Sequence, residues 1–428
     1  MKKLIFALVW IGFFLACSPR LQQTFFTLKD IPQSISPQNT PANSLQVTAE
    51  NECCRQQSSY IPDTSHLNFM PSKAIRVNVH IMNAADSTRN FSEEAGRAYV
   101  KDMLYHCYKD YSSNNRMWLH PPGQDTPVLP TRYHYVLTPQ GDDPTDDGIY
   151  FHYDDELYYF IRRGKTANMG NRKVIEKYGI GLDSIMNIFM MPHHPDSIAS
   201  PTYQAHSAGI ALGNAIKITG AFALNKKSWM MSRTLNHEVG HNFGLSHAFN
   251  KNDGCDDTPP NPRCWSPDDK PGCDTLMSNN VMGYNNNQNA WTPCQIGRIH
   301  SHISRLKGKG RKFIIPHWCR LDPKQSITIT DHTVWSGEMD LYGHLTIQTG
   351  ASLEIKCRVS LPKNAKITVA PGAKLILNNA RLHNDCGDEW LGIEVQTLGK
   401  IKGEVVLMGN ARVEDAVYWG EKGNLSAK

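Results

Sequence analysis

Three histidines and a glutamate near the middle of the chain have residue types and a spacing that suit hydrolytic metal chemistry. Residues 237–247 read HEVGHNFGLSH. On a helix, His237 and His241 lie one turn apart on the same face and can bind one metal ion. Gly244 can adopt the left-handed conformation that ends a helix, so the chain can turn back and bring His247 to the same ion. Three neutral imidazoles leave a fourth zinc position open for water, as in catalytic rather than structural sites.

Glu238 is the candidate general base of this site. With about 100° between successive residues of a helix, its side chain lies about 60° around the axis from that of His241. It therefore flanks the metal without being forced to bind it, and a carboxylate in that place can take a proton from water. The alternative is a chance H-E-x-x-H sequence on a surface helix, which the matching positions of Gly244 and His247 disfavour.

The elements that must position these residues follow from the surrounding pattern. Apolar patterns predict strands at 74–82, 132–139, 148–155, 184–192 and 209–222. Capping and apolar-face signals predict helices after Ser92, at 171–178 and at 232–243. This order predicts an α+β fold, with a mixed sheet and an active-site helix that carries the histidines. The region 209–222, just before that helix, is the candidate edge for pairing an extended substrate.

Residues 1–17 have the pattern of a targeting segment. Two lysines precede an apolar run, residues 4–15, that is too short to span a membrane comfortably. A small residue followed by Cys17 then resembles a bacterial lipobox, with Phe14 where leucine is usual. In that case Cys17 carries a lipid and anchors the protein to a membrane; the alternative is an ordinary secretory signal. Either way the protein is predicted to be exported, as an outer-membrane or cell-surface lipoprotein or in secreted form.

Composition restricts the classes of function. The chain has 428 residues, a net charge of +5 and 40% hydrophobic residues, which indicates a globular protein of roughly two or three domains. Because the net charge is modest and no basic patch is studded with aromatic residues, nothing suggests a nucleic-acid partner. Outside the cytoplasm, the 11 cysteines are predicted to form disulfides rather than to bind metal as thiolates.

Residues 18–72 are rich in Pro, Ser, Gln, Asn and Thr. Such a segment buries little apolar area and is predicted to be a linker or a pro-segment. It contains the adjacent pair Cys53 and Cys54, for which a disulfide role is predicted. The alternative is latency, in which a cysteine of the pro-segment occupies the open zinc position.

The loop after His247 is dense in Asp, Asn, Gly and Pro, and disulfides are predicted to replace the core that it lacks. Its structural cysteines are Cys255, Cys264, Cys273 and Cys294, which allow three pairings that the sequence leaves open. The hard oxygens of this loop make a calcium site one interpretation, with Asp256, Asp257 and Thr258 as ligands. The other interpretation is turn-forming residues with solvated carboxylates.

The motifs around the histidines resemble the pappalysin branch of the metzincin zinc proteases. The resemblance covers roughly residues 74–310 and depends on the histidine motif, CDDTPP, NNVMGY and TPCQIGRIH. It implies a zinc peptidase domain, placed at residues 73–314, with Met282 in a tight turn beneath the three histidines. It also implies that Tyr284 can swing toward the metal and stabilise an oxyanion, the alternative being plain packing. The sequence departs from the family at Cys294, where members often have glycine, and this suggests an extra or shifted disulfide.

Residues 315–428 have a different pattern, with short alternating strands and few helix-forming residues. GHLTIQTGASLEI begins at 343 and AKITVAPGAKLIL at 365, a period of 365 − 343 = 22. Short strands joined by turns at a fixed period predict an all-β solenoid or β-helix-like domain. The pattern continues to the end of the chain, so this domain is either short or part of a longer one.

Taken together, the residues predict a zinc endopeptidase with protein or peptide substrates, Zn²⁺ as cofactor and Ca²⁺ as a second candidate ion. The alternative is a cell-surface adhesin or glycan-binding protein in which the solenoid is the working part. A metal site that served only as scaffold would need no carboxylate beside an open zinc position, so Glu238 favours the enzyme.

Overall fold

A computed structural model of the protein describes residues 20–30, 52–86, 90–141, 143–164, 167–203, 206–222 and 224–418. The predicted targeting segment, with Cys17, lies outside these residues. Within the part of the chain that is described, no helix is long and apolar enough to cross a membrane.

The strands and helices up to residue 304 keep the predicted order between residues 73 and 242, apart from an additional short helix at Pro195–Ala199, and include others that the sequence did not predict. They are β1 (Leu21–Phe25), α1 (Glu52–Arg55), β2 (Lys73–Asn83), α2 (Glu93–Ser112), β3 (Tyr133–Leu137), β4 (Ile149–Tyr153), α3 (Lys173–Tyr178), β5 (Met186–Met191), α4 (Pro195–Ala199), β6 (Ala208–Ala211), β7 (Ala215–Thr219), α5 (Ser228–Asn242), α6 (Cys273–Leu276) and α7 (Pro293–Ser304). The predicted strand region 209–222 is in fact the hairpin of β6 and β7. Gly213 turns the chain there with a φ of 84°, a conformation that glycine adopts without strain.

One six-stranded sheet lies beside the histidine helix. Its strand order is β3-β2-β5-β7-β6, and β4 pairs with the remaining part of β2. Every pairing is parallel except that of β6 with β7, which is antiparallel. The predicted mixed sheet is therefore confirmed, and β6 is one of its edges.

Helices α2 and α5 pack against each other and against this sheet. Leu235 and Val239 of α5 are fully buried in a core shared with β2 and α2, as expected for residues one turn apart on an apolar face. The helix begins at Ser228 rather than at residue 232, because contacts with α2 hold its first turn. The hydroxyl of Ser228 donates to the carboxylate of Asp102 in α2.

From residue 327 to residue 413 the successive coils of the chain stack into three faces of parallel strands. Its strands are β8 (Ile327–Ile329), β9 (His332–Trp335), β10 (Met339–Asp340), β11 (Leu345–Ile347), β12 (Ser352–Ile355), β13 (Arg358–Ser360), β14 (Lys366–Val369), β15 (Lys374–Asn378), β16 (Arg381–His383), β17 (Gly392–Leu398), β18 (Ile401–Lys402), β19 (Glu404–Met408) and β20 (Arg412–Val413). The three faces are β8-β11-β14-β17, β9-β12-β15-β19 and β10-β13-β16-β20. Strand β18 adds to the first of them by pairing antiparallel with β17. This arrangement confirms the predicted all-β solenoid.

The register of the solenoid explains why only part of its repeat is visible in the sequence. Leu345 of β11 pairs with Ile367 of β14, and this pairing has the same spacing as the period found in the sequence. The coil before it is shorter, because Leu345 also pairs with Ile327. The coil after it is longer, because Ile367 pairs with Ile393. These aligned side chains are buried in one core, whereas the turns between strands differ in length.

The described parts of residues 18–72 are bound to the solenoid. Strand β1 pairs antiparallel with β17, and Cys54 forms a disulfide with Cys357. Tyr60 is buried, and its hydroxyl donates to the carbonyl of Cys54 at 2.8 Å. Because its sulfur is in the disulfide, Cys54 has no thiolate to offer a metal; the side chain of Cys53 lies outside the described part.

A buried cluster of charges joins the sheet-bearing half to the solenoid. The carboxylate of Asp340 in β10 accepts hydrogen bonds from Arg311 at 2.8 and 3.0 Å and from Arg358 at 2.8 Å. The ammonium group of Lys73, at the start of β2, lies 3.4 Å away. Burial alone would raise the pKa of Asp340, but Arg358, Lys73 and Arg311 outweigh it and hold that pKa well below its usual range.

Candidate active site

The three histidines converge on one point at the end of α5. The Nε2 atom of His241 lies 3.1 Å from that of His237 and 3.1 Å from that of His247. The other ring nitrogens of two of them face backbone carbonyls: Nδ1 of His237 donates to Val281 at 2.7 Å, and Nδ1 of His241 donates to Leu245 at 2.8 Å. A carbonyl only accepts, so these contacts assign the proton to Nδ1 and leave the Nε2 lone pair free.

This donor set fits a divalent zinc ion. Lone pairs that face one another at 3.1 Å repel unless a cation lies between them. Tetrahedral zinc with bonds of about 2.05 Å would hold its nitrogens roughly 3.3 Å apart. Burial lowers the pKa of His237 to about 3 and that of His247 to about 4, so both rings are neutral, as metal binding requires.

Gly244 ends the helix and starts the turn that delivers His247. Its φ is 84°, the left-handed conformation typical of a helix C-terminus. The next amide, that of Leu245, donates to the carbonyl of Gly240 at 3.0 Å. Arg298 of α7 donates from its guanidinium to the carbonyl of Gly244 at 3.0 Å. The turn is therefore fixed from both sides.

Met282 lies directly beneath the histidine helix. It is fully buried, and a Cβ atom added at Gly240 would overlap its sulfur. The carbonyl of Met282 accepts from the amide of Ala248 at 3.1 Å, which ties the turn to the residue after the third histidine. The close approach explains the glycine at position 240, for which no sequence pattern offered a reason.

Glu238 faces the edge strand of the sheet. Its side chain is buried, and burial raises its pKa to about 8 while a hydrogen bond from the amide of Ala211 in β6 opposes that rise. A carboxyl group with a raised pKa near neutrality suits proton transfer in both directions.

Tyr284 lies beside the histidines at the mouth of the site. Its ring centroid is 4.7 Å from that of His247 and 5.9 Å from that of His237. The residue is 39% exposed. Phe249 stacks on His247 with ring centroids 4.8 Å apart, and the guanidinium of Arg263 lies 4.3 Å from the ring centroid of Phe249.

The cysteine-rich loop contains two disulfides, Cys255–Cys294 and Cys264–Cys273. The first joins the loop to the start of α7, and this bond accounts for the cysteine at position 294. Together with Cys54–Cys357 and Cys319–Cys386, they make four disulfides in the described residues.

The three calcium candidates differ in their surroundings. Asp257 accepts from the amide of Cys294 at 2.9 Å. Thr258 donates from its hydroxyl to Asp253 at 2.5 Å. Asp256 is exposed. Calcium binding therefore stays a prediction.

Two contacts of the site have no signal in the sequence. Gln288, in the loop after Tyr284, donates to the carbonyls of Gly283 at 2.7 Å and of Val281 at 3.2 Å, so it holds the turn whose carbonyl orients His237. Gly209 of β6 lies against Glu238: a Cβ atom added there would be 2.5 Å from the Cγ atom of Glu238. Both residues act through the folded arrangement of distant segments, which no local pattern reveals.

Comparison with known proteins gives one family match. Residues 185–304 match the family model Peptidase_M43, described as pregnancy-associated plasma protein-A. A search of curated proteins returned no match. Among solved structures, mature mirolysin of Tannerella forsythia with a cleaved peptide is 18% identical, with a TM-score of 0.40 over 57% of this chain and 96% of that one. Mirolysin with compound 9 is 17% identical, with a TM-score of 0.38 over 57% and 97%. A promirolysin mutant of Tannerella forsythia is 17% identical, with a TM-score of 0.38 over 57% and 84%.

For residues 185–304, the family match, together with the histidine helix and the turn beneath it, supports a metalloprotease of the metzincin type. Proteases of this type use zinc. Within the class, the segment 185–304 belongs to the pappalysin family, and the resemblance inferred from the sequence is confirmed for that segment.

Proposed function

We propose that the protein is a zinc endopeptidase that hydrolyses peptide bonds at the site formed by His237, His241 and His247. The observation that carries the proposal is the convergence of the three Nε2 atoms at the end of the helix that also carries the buried Glu238. Two backbone carbonyls orient the rings of His237 and His241, which supports a role of these two as ligands, and Nε2 of His247 lies 3.1 Å from that of His241. When bound there, zinc would polarise the substrate carbonyl and lower the pKa of water in its open position.

Two side chains of the protein carry out proton transfer and stabilisation of the developing negative charge. Glu238 takes a proton from the attacking water and passes it to the leaving amine, the dual role that a single carboxyl group performs in general acid–base catalysis. The hydroxyl of Tyr284 donates to the oxygen on which negative charge develops, and its place beside His247 supports that role.

The substrate pairs with the open edge of β6 in an extended conformation. This strand has a sheet neighbour, β7, on one side within the described residues, and it lies against Glu238. Backbone pairing binds a peptide at such an edge with little dependence on its sequence. The sequence pattern predicted residues 209–222 as the candidate substrate-binding edge. Of the two strands in this region, only β6, residues 208–211, has a free edge among the described residues, because β7 is paired on both sides.

The protein works outside the cytoplasm, anchored by a lipid at Cys17 or secreted. The disulfides of the described residues support this proposal, because disulfides persist in oxidising compartments. Metabolic labelling with a radioactive fatty acid tests the anchor. Label in the wild type and none in Cys17→Ser is expected, whereas equal labelling of both would contradict it.

The proposed reaction is tested with the full chain loaded with zinc. Wild-type protein should bind one zinc ion and cleave casein in a chelator-sensitive manner. Glu238→Gln, which keeps the shape of the side chain, should fold and bind zinc but lose cleavage by a factor of about 10² or more. Cleavage by Glu238→Gln at the wild-type rate would show that the mechanism is wrong.

A further inference from the structure

Strand β6 makes unusually close contact with Glu238. A Cβ atom at Gly209 would lie 2.5 Å from Cγ, 2.7 Å from Oε1 and 2.8 Å from Cδ of that side chain. Real carbon atoms do not approach one another so closely. Only glycine at this position leaves the carboxylate where it is.

The hydrogen-bond pattern of the hairpin adds a second contact. The amide of Leu212 donates to the carbonyl of Ala215 at 2.8 Å, and pairs of bonded and non-bonded residues alternate along an antiparallel ladder. Counting back from Leu212, Ala211 and Gly209 fall in non-bonded pairs, opposite Ile216 and Ile218. Their amide and carbonyl groups therefore face the open edge, and the amide of Ala211 lies close enough to the Glu238 carboxylate to counter the rise of its pKa.

The hairpin is fixed relative to the histidine helix. The amide of Gly213, in its turn, donates to the side chain of Asn242 at the end of α5, at 2.9 Å. The guanidinium of Arg172 donates to the carbonyl of Leu212 at 3.0 Å and to the side chain of Asn214 at 2.8 Å. A strand anchored at its turn can serve as a rigid support for a side chain that rests on it.

We propose that Gly209 and Ala211 are positioning residues for the general base: Gly209 provides the space for the Glu238 carboxylate and the Ala211 amide holds it. The proposal rests on the proposed function. The edge that holds the base is also the edge to which an extended substrate adds, so the substrate backbone enters beside the positioned Glu238 carboxylate.

The test is the variant Gly209→Ala in the full, zinc-loaded chain. The atoms that must give way belong to the side chain of Glu238, so the fold, the melting temperature and the zinc content should be preserved. We expect kcat to fall at least tenfold and KM to change less than threefold. Gly170→Ala is the matched control, because a Cβ atom at Gly170 meets nothing within 4 Å, and it should leave both constants unchanged.

Testing Gly209→Ala in the Glu238→Asp variant distinguishes a positioning role of Gly209 from general damage to strand β6. Glu238→Asp withdraws the carboxylate by one methylene, so the methyl group added at position 209 finds room, and Gly209→Ala should lower kcat less than threefold in that background. A crystal structure of zinc-loaded Gly209→Ala should show the Glu238 carboxylate displaced from the amide of Ala211.

An unchanged kcat in Gly209→Ala, an equal loss in both backgrounds, or a carboxylate still bonded to Ala211 would overturn the proposal. Failure of the proposed function is recognised separately, because it appears as a wild-type protein that binds zinc and cleaves no peptide bond. If the wild-type protein is inactive, the crystal structure of Gly209→Ala still shows whether Gly209 and Ala211 position the Glu238 carboxylate.

Discussion

Replacing Asp340 by asparagine should destabilise the whole molecule, because this carboxylate neutralises charges from both of its halves. Arg311, Arg358 and Lys73 surround it with nitrogen–oxygen distances of 2.8 to 3.4 Å. Its side chain is 0% exposed and that of Lys73 is 3% exposed. Asparagine keeps the volume of the side chain but removes the charge on which these cations depend.

The size of the effect follows from which partners remain. Arg311 keeps Asp385 and Arg358 keeps Glu338 as ionic partners. Lys73 is left with the faces of two aromatic rings, and no other carboxylate lies within ion-pair distance in the described residues. Removing one partner of a buried ion pair costs about 3–5 kcal/mol, since the other charge stays buried without compensation.

Urea unfolding followed by tryptophan fluorescence measures this loss. Trp318 is a suitable probe, because the guanidinium of Arg311 lies 4.2 Å from its ring centroid. The control is Asp388→Asn, which removes an exposed ion pair with Lys363 and should cost less than about 1 kcal/mol. If Asp340→Asn were no less stable than this control, the cluster would not hold the two halves together and the reasoning would be refuted.

Three further predictions concern stability. Met282→Ala should lower the free energy of unfolding by about 2–5 kcal/mol, measured in urea, because it leaves a cavity under the histidine helix; a loss below about 1 kcal/mol would contradict the packing described. Replacing Cys54 and Cys357 by serine should cost about 5–6 kcal/mol under non-reducing conditions, because the bond closes a loop of 303 residues in the unfolded chain, and an unchanged midpoint would contradict it. Burial lowers the pKa of His80 to about 3 and that of His300 to about 4. As pH falls below about 6.5, the unfolded chain takes up protons that the folded one does not, so each of these histidines should remove about 1.4 kcal/mol of stability per pH unit until its folded pKa is reached. Urea midpoints that stayed constant from about pH 7.5 down to about pH 4.5 would contradict this linkage.

Local patterns predict most of the elements but not their partners. The apolar stripe of α5 and the step from Leu345 to Ile367 are readable in the sequence because each depends on neighbouring residues along the chain. The pairing of β1 with β17 joins segments at opposite ends of the chain. This pairing depends on which strand edges meet after folding, so no period or spacing in the sequence predicts it.

The candidate site divides in the same way. The spacing of His237, His241 and His247 is a property of one helix and its turn, and the structure brings these three side chains together. Cys255–Cys294 was one of several open pairings, because spacing alone does not decide which sulfurs come within bonding distance. The sequence pattern predicted only that Gly209 lies in a strand. Its role could not be predicted, because it depends on the side chain of Glu238, which approaches from α5.

The bond between Cys54 and Cys357 also sets a condition on how the chain is assembled. A ribosome completes the histidine helix and the first coil of the solenoid before it makes Cys357, 303 residues after Cys54. Until then Cys54 has no native partner, and a second cysteine lies next to it. The enzyme half can therefore take shape while Cys54 is still unpaired, and a chain that ends before the second coil cannot form this disulfide.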